Sequence, residues 1–508
     1  MAANRKIALI DLNTRQTEIE PIPDEWRRKY IGGRGLGTYL ACRHAAVACD
    51  PLAPENPIVI SAGLLAGTLS SSSAVTAITT LSPLTGFLEC ALLPGLFAAE
   101  MRWAGFDHLV ITGRARRWVS LFIHNGTLQI VNAGGLKGCG MTEAGQRLRQ
   151  ALGDADVKTL AIGPAGENRV RFATVADDAG HAAGRTGLGA VFGSKMIKAL
   201  ACRGPLDIEV KFPEQAIAYR QAPPAVQPST VRRQPDTMPL RDLVHPNGCH
   251  QPEPRTRHRL ADIGMDVQML MYTARWAAGV VAGDPERNAE ALAELIVRRK
   301  GPGKYLAEGP VRAAAQPGFG ELSEAFPARC LIDLYREETP VGEAALSVPS
   351  FSASPGSSGY YRGNPGTLGH QELSYRLLDC LGDRTCAGIC PATGRLDLER
   401  VTELIRLNTG AEVKTRALQA AAYRCYALER LSNLRAERAA RHAGRLALVL
   451  DVPGEVELSP AVWEGIDLET FKRTVAQHYR QNGWDRKALV KKKVFELLGM
   501  AELWNLYK

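Results

Sequence analysis

Along the first two hundred positions the apolar residues come in short runs that polar or turn-forming residues cut off. Ile7–Leu12, Ile58–Ser61, Thr76–Thr80, Leu109–Gly113 and Leu121–His124 are too short for stable helices, and this predicts strands. Asn125-Gly126 after the last of them is a hairpin turn signal. Helical spacing is sparse here: Asp24–Tyr30 opens one short helix, and Met101–Ala104 belongs to another that ends at Gly105. The pattern breaks between Pro213 and Pro254, where nine prolines and several arginines replace any period, as in a linker or surface excursion. Beyond it, Asp284-Pro285 is a helix start with an N-cap and a first-turn proline; Leu292, Leu295 and Ile296 form its stripe and Gly301 ends it. Residues 316–370 are rich in Ser, Gly and Pro and read as loop. From Leu396 onward helices dominate. Val401, Leu404 and Ile405 give one apolar stripe, and Leu418, Cys425, Leu428, Leu431 and Leu434 give another. Thr470–Tyr479 and Lys491–Leu498 finish the chain.

The pattern predicts an α+β chain, with an N-terminal mixed domain containing sheets followed by one or two helical domains. Its divisions are a base domain over 1–210, a Pro/Arg-rich excursion over 211–260, a helical domain with long loops over 261–370, and a C-terminal helical domain over 371–508. No internal repeat is visible.

Composition narrows the class. The 508 residues allow large cores, and no apolar run is long enough for a membrane span. The start, Met-Ala-Ala-Asn-Arg-Lys, leads straight into a strand with no export segment, so a cytoplasmic protein is expected. The formal charge of +9 comes from scattered arginines. It favours anionic cofactors or acidic partner proteins; with no basic-aromatic repeat or finger spacing, nucleic acid is not an expected partner. Eleven cysteines in such a chain are expected to be mostly buried thiols rather than a disulfide framework.

Candidate chemistry concentrates at Ala182–Lys198, where Gly184, Gly187, Gly189 and Gly193 surround Arg185. Glycines this dense let a backbone approach a ligand, and an arginine adds a fork of donors suited to phosphate. The same glycines equally suit tight turns packing small residues. A second cluster, Gly32–Gly37, contains GxG but follows a helix, so a dinucleotide site lacks its strand–turn–helix context. Cys380, Cys386 and Cys390 put three thiols within eleven residues.

In order along the chain, Tyr30–Gly37, Asp50–Asn56, Leu81–Gly86, Glu100–Asp107, Ile162–Asn168 and Ala182–Lys198 resemble segments of the aldehyde ferredoxin oxidoreductase family, the tungsten-pterin enzymes. Lys304–Gly309, Leu428–Asn433 and Tyr479–Asp485 are similar as well. The resemblance implies a β-rich base for two pterins under two helical domains, with a tungsten or molybdenum pterin between them and a [4Fe-4S] cluster beside it. It also implies oxidation of an aldehyde to a carboxylate. Carried over by position, Arg34, Gly35, Gly95, Ala183, Gly184, Arg185 and Asp379 face the pterin, with Arg34 and Gly95 in loops.

The departures from that pattern fall together. Where the family has C-x-x-C-x-x-x-C, this chain has Asn247–Pro254 with Cys249 alone. Cys386 resembles the distant cluster ligand, and a rebuilt metal site would draw on Cys249, Cys386 and Cys390, with Cys380 beside them. Val75 stands where the family has an arginine between cluster and pterin, and Leu92 where it has an asparagine; neither side chain can donate a hydrogen bond. The acidic segment over the metal has no counterpart between Gln316 and His370, leaving His370 and Glu372 as candidate catalytic groups. Two readings stay open. One is a divergent oxidoreductase whose electrons leave through a redox partner. The other is a non-catalytic homologue serving as a structural or regulatory subunit of an active paralogue, in a homo- or hetero-oligomer.

Overall fold

In the computed structural model the described residues are 6–45, 49–70, 74–184, 186–221, 254–277, 289–309, 312–313, 368–382, 396–442, 480, 483–484, 490–501 and 504. The short apolar runs form two six-stranded sheets. The first has the order β2-β1-β6-β3-β4-β5, with β1 Lys6–Asp11, β2 Gln16–Pro21, β3 Ile58–Ala62, β4 Thr76–Leu81, β5 Leu88–Leu93 and β6 Phe106–Thr112. The second has the order β11-β10-β9-β12-β7-β8, with β7 Val119–His124, β8 Thr127–Asn132, β9 Lys158–Ala161, β10 Val175–Asp177, β11 Ala182–Ala183 and β12 Ile197–Arg203. Pairs β1–β6 and β7–β12 are parallel and the other neighbours antiparallel. Asn125-Gly126 makes the two-residue β7–β8 turn, both residues at positive φ, as the dipeptide predicts.

Side-chain alternation explains why the sheets stack. Ala8, Ile60 and Leu109 are neighbours on one face of the first sheet and share a core with Leu121, Leu160 and Leu200 of the second. Leu9, Val59 and Val110 point the other way, toward helices. Those helices are α1 Asp24–Tyr30 and α2 Gly33–His44, with C-terminal residues Tyr426, Leu428, Leu431 and Trp484 closing over them. The second sheet is backed by α4 (Met141–Leu152), whose Met141, Ala144 and Leu148 pack on Ala161, Ala199 and Ala201; α3 (Phe97–Trp103) lies between the sheets.

The remaining described helices are α5 Pro164–Glu167, α6 Leu188–Ser194, α7 Pro213–Gln221, α8 Pro254–Asp262, α9 Val267–Ala277, α10 Ala289–Val297, α11 Gly303–Leu306, α12 Leu368–Leu381, α13 Leu398–Thr409, α14 Thr415–His442 and α15 Lys492–Leu497. Helices α8 to α11 build a core on Ala165, Val170 and Phe172. Helices α12, α13 and α14 build another on Ile31, Leu64 and Leu65. The β-rich base and helical remainder thus follow the predicted fold class. Among the described residues no helix is long and apolar enough to cross a membrane.

One expectation is corrected. Gly33–Gly37, read as a loop carrying Arg34, is the first turn and a half of α2. Its glycines serve close approach. A Cβ on Gly37 would lie 2.7 Å from the Ser61 hydroxyl, one on Gly35 2.7 Å from the Cys380 sulfur, and one on Gly33 would strike the Asp379 carbonyl.

Candidate functional site

The residues assigned to a cofactor divide in space into two groups. The first is buried where α2, α12 and α14 meet. Arg34 donates from Nε and Nη2 to the two carboxylate oxygens of Glu429, at 2.6 and 2.9 Å, and from Nη1 to Asp379 at 3.0 Å. Arg376 donates from Nε and Nη2 to Glu429 Oε2, both at 3.1 Å, and its guanidinium lies 4.5 Å from the centre of the Tyr426 ring. The four side chains are at most 2% exposed. Burial alone would raise the Glu429 carboxyl, but the Arg34 and Arg376 guanidiniums hold it below its ordinary value. Among the described residues, these two cations face two anions.

Beside this cluster lies the face of β4 and β5 that points at the helices. Thr79 pairs with Cys90 and Ala77 with Leu92 across the strands; Ala77, Cys90 and Leu92, with the half-buried Val75, form a small apolar group. Leu92 is 2% exposed. Burial pushes the Cys90 thiol up to about 12, so it stays protonated at neutral pH. The Val75 amide donates to the Gly382 carbonyl at 3.4 Å, and Leu64 and Leu65 amides donate to Cys380 and Leu381 carbonyls at 3.2 and 2.8 Å. The end of α12 therefore sits directly on the sheet, admitted by Gly63, where a Cβ would strike the Gly382 backbone. Cys380 is a buried free thiol in that end.

The second group lies at the β10–β11 hairpin and the end of β5; Asp177 and Ala183 are buried, while Gly95, His181 and Gly184 are partly exposed. Asp177 accepts the backbone amides of Ala179 and His181 at 3.0 and 2.8 Å, and its other oxygen is 2.9 Å from His181 Nδ1. Burial raises the Asp177 carboxyl despite the His181 contact. Gly95, at φ +120°, packs on that carboxylate, and a Cβ there would collide with it. A Cβ on Gly184 would lie 3.0 Å from Asp266 Oδ2, and Ala183 pairs with Val175. So Gly95, Ala183 and Gly184 do come together, but the described polar groups at these glycines are the Asp177 and Asp266 carboxylates and the His181 imidazole.

The rest of Ala182–Lys198 serves packing. Cβ atoms on Gly187, Gly189 and Gly193 would strike the carbonyls of Arg171, Thr174 and Gly166, so the glycine density seats α6 against α5 and the neighbouring segment. Lys195 donates to the Pro54 and Gly113 carbonyls at 2.7 and 3.1 Å. Lys198 donates to Cys139 and Ile162 carbonyls at 2.8 and 2.6 Å and to Glu167 at 2.6 Å. Neither lysine faces a ligand. Arg185, Cys249, Cys386 and Cys390 lie outside the described residues, and of His370 and Glu372 only the helical backbone in α12 is described.

Sequence reasoning missed Arg376, Glu429 and the Asp177–His181 pair. A signal for Glu429 existed: Cys425, Glu429 and Asn433 recur at four-residue spacing, a polar line inside the apolar stripe of α14. All three meet the base, Cys425 and Glu429 at Thr38 and Asn433 by accepting the Leu88 amide at 2.7 Å.

These surroundings test the tungsten or molybdenum pterin that the resemblance implies. Gly95 and Gly184 keep partial exposure, but the carboxylates of Asp177 and Asp266 stand against them. The sheet face does not suit the group, because Val75 and Leu92 offer no donors and Arg34 and Asp379 are bound to each other with no water-sized gap. The described residues of the sheet face do not fit it.

Comparisons with known proteins follow the same division. The sequence model described as "Aldehyde ferredoxin oxidoreductase, N-terminal domain" matches residues 7–204, and the one described as "Aldehyde ferredoxin oxidoreductase, domains 2 & 3" matches residues 364–500. The tungsten-containing aldehyde ferredoxin oxidoreductase of Pyrococcus furiosus is 38% identical over 201 residues, 40% of this chain and 33% of that protein. The WOR-like subunit of an aliphatic sulfonate oxidoreductase from the same organism is 33% identical over 218 residues, 40% of this chain and 35% of its own length. The chain thus spans about a third of the length of these curated relatives. A chain of the solved active-site complex BamBC of benzoyl coenzyme A reductase has the same fold, with a TM-score of 0.77 over 100% of this chain and 99% of that one, at 20% identity.

Proposed function

This chain belongs to the aldehyde ferredoxin oxidoreductase family, and from that premise we propose that it serves in a cytoplasmic assembly as a structural or regulatory subunit of a catalytically complete paralogue. The observation that carries the reading is the sheet face at Val75, Ala77, Cys90 and Leu92, apolar and backed by the Arg34–Asp379 pair where the family resemblance expects polar contacts to a cofactor. A fold kept intact over both sheets while its redox surface turns apolar suits a protein held by selection for its shape. The relative named as a WOR-like subunit supports a subunit role.

A second reading, a divergent oxidoreductase converting an aldehyde to a carboxylate on a tungsten or molybdenum pterin, is favoured by one observation: Gly95 and Gly184 stay partly exposed. Anaerobic co-expression with a complete family member from the same genome separates the two. The subunit reading expects stoichiometric co-purification and no aldehyde-dependent viologen reduction by the isolated chain. Viologen reduction by the chain alone overturns it.

A further inference from the structure

We infer that the interior between the β4–β5 face and the end of α12 is sealed by the chain's own side chains, with Glu429 and Asp379 as internal counter-anions, so that the protein completes its fold without a metal–pterin group. This deepens the subunit reading and rests on it. Three independent observations support it. Each guanidinium in the cluster already faces a carboxylate: Arg34 faces Glu429 and Asp379, and Arg376 faces Glu429. An added anionic group would therefore bring negative charge into a low-dielectric region whose cations are already matched.

The second observation is steric. Residues that line a ligand cavity retain accessible surface when no ligand is present, yet Leu92 is 2% exposed, and Arg34, Asp379 and Cys90 are each 1%. The third is the backbone seam. Leu64, Leu65 and Val75 donate to the Cys380, Leu381 and Gly382 carbonyls, and Gly63 and Gly33 let the two backbones touch. Room for a group between sheet and helix end would require those amides to part, leaving buried donors unpaired.

The expected behaviour follows from linkage, since a group that binds only the folded state raises its stability. The full chain is produced in two hosts, one able and one unable to make the pterin. Each product is assayed for pterin by oxidation to its fluorescent derivative, for tungsten and molybdenum by mass spectrometry, and for thermal midpoint. The sealed interior predicts pterin and metal below about one-tenth per chain in both, with the same midpoint. About one pterin or one metal per chain, with a midpoint raised only in the competent host, overturns it.

Leu92→Asn gives a second arm. In a sealed interior the new amide is buried without a partner, so the midpoint falls and pterin content does not rise. An Asn variant that keeps the parent midpoint and gains pterin overturns the inference. The two readings fail separately. Pterin in a chain that still reduces no viologen and still co-purifies with the complete relative removes the sealed interior and leaves the subunit role. Viologen reduction by a chain free of pterin removes the role and leaves the interior sealed.

Discussion

Glu429→Gln is the most informative single change in the molecule. It keeps the size of the side chain and removes one charge beside the buried Arg34 and Arg376, with Asp379 still bound to Arg34. The carboxylate accepts four guanidinium hydrogen bonds between 2.6 and 3.1 Å at 1% side-chain exposure. Breaking a buried ion pair by removing one partner costs about 3–5 kcal/mol, because the surviving charge stays desolvated. With a shift of roughly 2–4 °C per kcal/mol for a cooperative unit of about 200 residues, the midpoint should fall by roughly 6–20 °C. Urea unfolding followed by tryptophan fluorescence and far-ultraviolet circular dichroism measures the change, with Glu294→Gln as the control. Glu294 pairs with Arg298 at 2.8 Å, but both side chains are more than half exposed, so its loss should stay within about 0.5 kcal/mol. Adding Arg376→Met to Glu429→Gln removes a cation with the anion and should restore about 1–2 kcal/mol. A Glu429→Gln protein within about 1 kcal/mol of the parent would refute the claim that the cluster depends on its own counter-charges.

Other consequences are open to measurement. His108 is buried against Ser61 at 2.8 Å, and burial lowers its imidazole to about 4. The unfolded chain takes up a proton below its ordinary value near 6.5 while the folded chain does not, so stability falls with pH from about 6.5 to 4, by about 3 kcal/mol. Urea midpoints across that range should show the slope and His108→Gln should flatten it; an unchanged slope would show that other groups cause it. Gly193→Ala drives a methyl into the Gly166 carbonyl and should cost about 1–3 kcal/mol by thermal melting, whereas a neutral result would mean α5 and α6 can part freely. Asp397 caps α13 by accepting the Arg400 amide at 3.0 Å, so Asp397→Ala should cost about 1 kcal/mol, and a loss below about 0.3 kcal/mol would show the cap idle.

Much of the base was legible because each sheet has two different neighbours. Alternation in Ile7–Leu12 and Ile58–Ser61 separates a face for the other sheet from a face for helices, and Asn125-Gly126 can close only a tight hairpin. The glycines were harder. Gly35, Gly37, Gly187, Gly189 and Gly193 look like ligand loops in sequence, but their reasons lie on Cys380, Ser61, Arg171, Thr174 and Gly166. Local pattern cannot reveal what stands opposite a missing Cβ. The lysines closing Ala182–Lys198 are likewise explained from elsewhere, since carbonyls from four other segments hold them. The charge cluster was least legible, because Arg34 sits in a glycine run that reads as a ligand loop and Glu429 looks like an ordinary helical surface charge until the fold brings them together.

The distance in sequence between those two residues has a consequence in time. Arg34 leaves the ribosome 395 residues before Glu429. At roughly 5–20 residues per second that interval is on the order of 20–80 s. Both sheets are complete in sequence once Arg203 has emerged, yet the helix bearing Arg34 still waits for the segment that will neutralise it. The nascent base must spend that period with a wet arginine and an uncovered apolar face. That window is when a chaperone, or a partner already made, has its best access to this chain.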